Sequence, residues 1–238
     1  MTGLEAQGLS YSYGAKQALD DVSFSVPAGA FCALLGPNGA GKSTLFNLLT
    51  RLFVPPSGTI RIAGHDLRAA PRAALAELGI VFQQTTLDLD LTVQQNLSYF
   101  AALHGLAGRG ARTRIDAALD QLDMRERAGE KARSLNGGHR RRTEIARALL
   151  HDPSVLLLDE PTVGLDAAAR ASITDYAHGL AGQGKTILWA THLTDEVQPD
   201  DALIILHRAC ILAQGTAHDI AGDMTLQDRF LALTGAAA

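Results

Sequence analysis

An α/β fold is predicted by three features of this sequence. Apolar runs at 31–35, 155–158 and 186–190 each end in a glycine-rich or polar turn. Runs without alternation belong to strands buried on both faces, as in a parallel sheet. Helical apolar spacing follows them, and strand–helix alternation makes the core mostly parallel. Residues 4 to 35 are instead strand-rich, which gives an N-terminal antiparallel β subdomain, and about 90–150 reads as an inserted helical subdomain. The whole is expected to be one domain, residues 1–238.

In chain order, 9–14 is read as a loop bearing Tyr11 and Tyr13, and Val22-Ser23-Phe24-Ser25-Val26 as a half-buried strand. Pro27-Ala28-Gly29 turns into the strand at 31–35, and Leu45, Leu48 and Leu49 mark the helix beyond. Thr59–Ala63 is a strand between turns at 55–58 and 64–66, and Gly79–Phe82 a strand delivering Gln83. Thr92 caps a helix carrying Val93, Leu97 and Phe100; Ile115, Leu119 and Leu122 mark a second, after a flexible connection at 105–110. A third begins near Asn136, with Ile145, Ala148 and Leu149 on one face. Beyond the strand 155–158 come a helix at 167–181, the strand 186–190, a hairpin of 203–206 with 211–213, and a helix at 224–233.

The 238 residues, 47% hydrophobic and 19% charged, have the composition of a globular protein. A net charge of −4 gives no electrostatic reason to expect nucleic-acid binding. Cys32 and Cys210 lie in apolar runs and are expected as buried, reduced thiols. No run approaches the ~18 apolar residues that span a bilayer, and no basic-then-apolar leader is seen, so a cytoplasmic protein is expected.

Gly36, Pro37, Asn38, Gly39, Ala40, Gly41, Lys42 and Ser43 fit the P-loop pattern G-x-x-x-x-G-K-[ST] in full, with Thr44 next, between a strand and a helix. Glycines let successive N–H groups turn toward an anion, and the following helix adds its positive end. Lys42 supplies a point charge for the β- and γ-phosphates and Ser43 a hydroxyl ligand for Mg²⁺. The core is therefore that of a P-loop NTPase. Asp159, at the end of a buried strand, suits a contact to Mg²⁺, and Glu160 beside it the polarisation of an attacking water.

Further short matches follow in order: Tyr13-Gly14 before Ala18-Leu19 and Val22-Ser23, then Gln83, Leu135-Asn136-Gly137-Gly138-His139, Gly164-Leu165-Asp166 and Thr191-His192. With the P-loop and the strand ending in Glu160, these make the chain, over residues 4 to 215, resemble the nucleotide-binding subunit of an ABC (ATP-binding cassette) transporter. The resemblance implies that Tyr13 stacks on adenine, and that Gln83 ligates Mg²⁺ or holds water and reports phosphate occupancy to the helical subdomain. It also implies that His192 meets the γ-phosphate and orients Glu160. Lys42, Gln83, Glu160 and His192 would be catalytic, Ser43, Gln83 and Asp159 the metal contacts, and ATP with Mg²⁺ the ligands.

Residues 135–139 match the family's signature motif, with Asn136 and His139 in place of the usual Ser and Gln. Asn136 is a good N-cap, and its amide can donate to a phosphate. His139 either contacts ribose or caps, and brings pH dependence near its usual pKa of about 6.5. Arg140-Arg141-Arg142 reads as a solvated helix face. In the family the signature faces the nucleotide on a second subunit, which implies a head-to-tail homodimer with two ATP sites coupled through Asp166. Separate membrane-spanning permease subunits would dock at a groove near Gln83 and residues 87 to 104, which places the chain peripherally on the inner face of the membrane.

A soluble ABC-type ATPase acting on nucleic acid or ribosomes is the alternative; known examples carry a long coiled-coil insert or tandem cassettes. A P-loop kinase or GTPase is disfavoured by the signature and by the lack of an Asn-Lys-x-Asp element. Leu87–Val93 and Asp159–Asp166 resemble export-type, drug-resistance-like cassettes. The Asn-Gly-Gly-His variant resembles a subgroup associated with pyrroloquinoline-quinone-dependent alcohol dehydrogenase systems.

Overall fold

The computed structural model describes residues 2–235. Strands β1 (Thr2–Tyr13) and β2 (Lys16–Pro27) form a long hairpin, and β3 (Phe31–Leu35) leads into helix α1 (Lys42–Leu49). β4 (Ser57–Ile62) and β5 (His65–Asp66) complete an antiparallel sheet of order β2-β1-β4-β5. After α2 (Pro71–Ala76) and β6 (Leu78–Val81) come α3 (Val93–Leu103), α4 (Gly108–Gln121) and α5 (Gly137–Leu149). β7 (Val155–Asp159), α6 (Ala167–Gly182), β8 (Thr186–Thr191), β9 (Ala202–His207), β10 (Cys210–Thr216), α7 (Ala217–Ala221) and α8 (Leu226–Thr234) follow. The second sheet runs β10-β9-β3-β8-β7-β6, parallel except for β10 at its edge.

Alternate residues of the parallel strands enter two apolar cores. Cys32, Leu34, Val155 and Leu157 pack with Leu45, Phe46, Leu48 and Leu49 of α1 and with the antiparallel sheet. Ala33, Leu35, Leu156 and Leu158 pack with α3, α4, α5 and α6 on the opposite face. Burial on both sides explains the uninterrupted apolar runs. Thr92 closes α3 with a reciprocal capping box to Gln95.

Several segments depart from expectation. Residues 9–13 are strand, not loop: β1 runs through Tyr13, and Tyr11 stacks on Phe53 at 5.4 Å. Residues 9–13 do alternate at period two, but Gly8, at φ +61°, and shifts in register interrupt the pairing with β2 there. His65-Asp66, expected as a turn, pairs with β4; the connection at 105–110 shortens because α4 begins at Gly108. Short helices α2 and α7 lie where none is expected. Cys32 is buried, and that burial, aided by the charge of Asp201, pushes its thiol up to about 12; Cys210 is only half-buried, and both are free.

His178 on α6 is clamped between Asp201, 3.0 Å from Nε2, and the Thr174 carbonyl, 2.9 Å from Nδ1, with its ring stacked on Phe31. Both ring nitrogens face acceptors, which suits the doubly protonated ring. Burial pulls its pKa down, but the hydrogen bond and charge of Asp201 outweigh that and the net shift is upward. A raised folded-state pKa means the contribution is complete below the ordinary value of about 6.5 and lost as pH rises through the folded value. The stability difference between wild type and His178→Gln, from melting temperatures, is therefore expected to shrink from pH 6 to pH 9.

Candidate active site

Strands β3, β8, β7 and β6 end at one edge of the sheet and there deliver residues 36–41, Thr191-His192, Asp159-Glu160 and Gln83 respectively. The carboxyl edge of a parallel sheet is where such folds place ligands. In the loop after β3, Gly39 and Gly41 adopt φ of +82° and +117°, a region that glycine enters at little cost. A Cβ at Gly41 would stand 2.5 Å from the Ala18 carbonyl oxygen. No side chain caps the first turn of α1, whose N–H groups have no intrahelical partner and carry the helix's positive end.

Three predicted residues converge on the carboxylate of a fourth, Glu160. The buried Lys42 ammonium lies 3.1 Å from Glu160 Oε1 and donates to the Gly36 carbonyl at 2.6 Å. Gln83 Nε2 donates to Glu160 Oε2 at 3.1 Å, and His192 Nδ1 stands 3.6 Å from Oε1. Glu160 itself has φ +45°, the left-handed region that non-glycine residues avoid. Tyr13 lies at the mouth, 47% exposed, with its hydroxyl 3.5 Å from Thr44 Oγ1. One cavity is lined by Tyr13, Lys42, Ser43, Thr44, Gln83 and Glu160 together with Pro37, Asn38, Gly39 and Gly41.

Asp159 is buried, and desolvation, with the Glu160 charge, raises its pKa to about 6 against the smaller pull of Lys42, Ser43 and Arg141. Its Oδ1 has no hydrogen-bond partner, and the Ser43 hydroxyl is among its neighbours. These oxygen donors fit Mg²⁺, which is typically held by one or two carboxylates together with substrate phosphates. Among the described residues no cluster of His, Cys, Asp and Glu forms a complete cage for a metal.

The signature residues lie elsewhere: none of Asn136, Gly137, Gly138 and His139 lines this cavity. Asn136 caps α5, accepting the His139 N–H at 2.8 Å. Burial, with Arg127 and Arg142 nearby, moves the His139 pKa below its ordinary value, so its titration falls lower than expected. Asp166 caps α6 by accepting from Ala169 N at 2.8 Å. The signature glycines face the start of α6: a Cβ at Gly137 would meet Leu165 at 3.1 Å, and one at Gly138 would meet Ala169 at 3.3 Å.

The expectation of a solvated arginine face fails at Arg141. It is buried, donating to the carbonyls of Phe82 at 2.6 Å and Gln83 at 3.0 Å and pairing with Glu144 at 3.0 Å. Glu144 accepts from Thr86 N at 2.8 Å, and Arg147 donates to the Thr86 carbonyl at 3.1 Å, its guanidinium over the Phe100 ring. Residues spaced i, i+3 and i+6 on α5 thus grip the segment that carries Gln83. Their spacing was the available signal, masked by two flanking arginines.

A family model described as ABC transporter matches residues 19–163. The daunorubicin resistance ATP-binding protein DrrA3 of Streptomyces coeruleorubidus is 38% identical over 92% of this chain and 70% of its own length. Nod factor export ATP-binding protein I of Paraburkholderia xenovorans is 38% identical over 89% of this chain and 68% of its own. Among solved structures, an ATP-binding subunit of an ABC transporter superposes with a TM-score of 0.85 at 28% identity, over 97% of this chain and 98% of its own. The cbiO1 subunit from Clostridium perfringens gives 0.85 at 29%, over 97% and 95%. These relatives do not favour a soluble ATPase acting on nucleic acid or ribosomes. With a P-loop edge of this composition and relatives of this kind, the chain belongs to the ABC transporter family, as an ATP-binding subunit whose ATPase activity is coupled to transport.

Proposed function

We propose that this subunit powers export through separate membrane-spanning subunits, and that it works as a homodimer in which the signature segment of each copy completes the P-loop site of the other. One observation supports the dimer: Lys42, Gln83 and Glu160 line one cavity, with His192 3.6 Å from Glu160, while Asn136–His139 neither lines it nor touches these residues. One chain therefore presents two unlike half-sites.

In this mechanism Tyr13 stacks on adenine and the N–H groups of Gly36–Thr44 hold the phosphates. Lys42 turns from Glu160 to the β- and γ-phosphates, which frees the carboxylate to accept a proton from water. His192 orients Glu160 and meets the γ-phosphate, and Gln83 holds the attacking water. Ser43, Asp159 and Gln83 are the residues that would hold Mg²⁺, which when bound neutralises phosphate charge. Asp166 couples the two sites across the dimer.

Export is supported by the resistance and export roles printed for the relatives. No helix among the described residues is long and apolar enough to cross a membrane. Exposed Leu89, Tyr99 and Leu103 lie within the segment expected to receive a permease helix, on the inner membrane face. Residues about 90–150 are taken as a helical subdomain inserted in one domain, 1–238, and the resemblance of the variant signature supports the subgroup associated with pyrroloquinoline-quinone-dependent alcohol dehydrogenase systems.

The test places Asn136→Glu in the Glu160→Gln background. ATP-dependent dimerisation, followed by light scattering, is expected to vanish, with monomer affinity for a fluorescent ATP analogue retained within about 3-fold because the added charge lies outside the monomer's cavity. Loss of monomer affinity means that the segment acts on its own chain's nucleotide.

A further inference from the structure

Glu196 lies on a 3₁₀ turn (Thr194–Glu196) just beyond β8 and is 3% exposed. Among the described residues no cation pairs with it. Its carboxylate accepts hydrogen bonds from the Thr162 hydroxyl on Oε1, and from Trp189 Nε1 at 3.0 Å and the Thr191 hydroxyl at 2.6 Å on Oε2. All three donors belong to buried residues. A carboxylate withdrawn from water without a counter-ion persists only when its oxygens are satisfied in this way.

The donors come from the two loops that carry the chemistry. Thr162 follows Glu160 by two residues, and its carbonyl accepts from Leu165 N at 3.1 Å on the way to Asp166. Thr191 immediately precedes His192, and its hydroxyl also accepts from Leu193 N at 3.0 Å. One buried carboxylate that does not line the cavity thus anchors both loops, while Glu160 and His192 stand 3.6 Å apart. Trp189, the only tryptophan in the chain, is the third prong.

We propose that Glu196 is a positioning residue for ATP hydrolysis, fixing the separation of His192 and Glu160 by tying their loops to one point, and that Trp189 reports the tie. This rests on the roles given above to Glu160 and His192. Thr162→Val keeps the side-chain shape and removes one donor, whereas Thr162→Ser keeps the donor.

In the full-length protein, Thr162→Val is expected to lower kcat about 3- to 10-fold with KM for ATP within about 2-fold, because displaced catalytic groups slow the chemical step more than they weaken binding. Thr162→Ser should restore the wild-type rate. Glu196→Ala should lower kcat further and move Trp189 emission to shorter wavelength as its acceptor is lost; if that variant does not fold, the two Thr162 variants decide. A wild-type kcat for Thr162→Val, or equal losses of kcat in the Val and Ser variants, overturns the proposal. Glu160→Gln separates the two levels. Normal turnover in Glu160→Gln overturns the site roles and this proposal with them, whereas arrested turnover beside an unslowed Thr162→Val overturns the positioning role alone.

Discussion

Glu160→Gln is expected to slow ATP turnover by about 10²-fold or more, the size of effect that follows loss of a general base. The substitution keeps the side-chain shape and the reach to Gln83, 3.1 Å away, and removes only the charge and the basicity. ATP binding should persist or tighten, because Lys42 then loses the carboxylate it pairs with at 3.1 Å and is free for phosphate. ATP-bound dimer should accumulate, since closing is intact and the step that reopens it is not. Phosphate release at saturating ATP, beside a separate measurement of nucleotide affinity, checks both statements. Turnover within about 3-fold of wild type would remove Glu160 from the chemistry.

The second large effect is on stability. Glu144→Ala is expected to cost about 3–5 kcal/mol, the usual consequence of removing one partner from a buried ion pair. Glu144 is fully buried; desolvation raises its pKa, and the charge of Arg141 is the chief opposing influence. Its loss leaves Arg141 and Arg147 buried without their shared anion and strips an acceptor from Thr86 N. In a chain of this size each kcal/mol lowers the melting temperature by about 2–4 °C. Urea denaturation reads the effect directly, and a change below about 1 kcal/mol would show that the carbonyls of residues 82–86 alone hold these arginines.

The parallel core was legible because burial on both faces leaves uninterrupted apolar runs: Val155–Leu158 and Thr186–Ala190 are strands where expected. The P-loop and the Asn136 cap were legible because their chemistry is local. The strand end at Leu9–Tyr13 was not: it alternates as a strand does, but it is short, lies between Gly8 and Gly14, and its aromatics are held by Phe53, about forty residues away. Arg141, Glu144 and Glu196 were hidden for a related reason. Their partners lie on other segments, at Phe82, Gln83 and Thr86 or at Thr162, Trp189 and Thr191. A charged residue inside a polar stretch looks solvated until the tertiary fold brings it acceptors or donors.

The left-handed backbone of Glu160 sets two demands on one position against each other. Selected for durability alone, that turn would carry glycine or asparagine, which tolerate such a φ, whereas a long acidic side chain there stores about 1–3 kcal/mol. The next residue back, Asp159, adds like-charge repulsion and an oxygen with no hydrogen bond. Backbone strain, like-charge repulsion and an unmet oxygen thus coincide at the proposed catalytic position. Substitutions that relieve the turn would trade turnover for robustness, and a search for hardier variants of this protein would drift toward inactive ones at residue 160 unless activity is scored alongside melting.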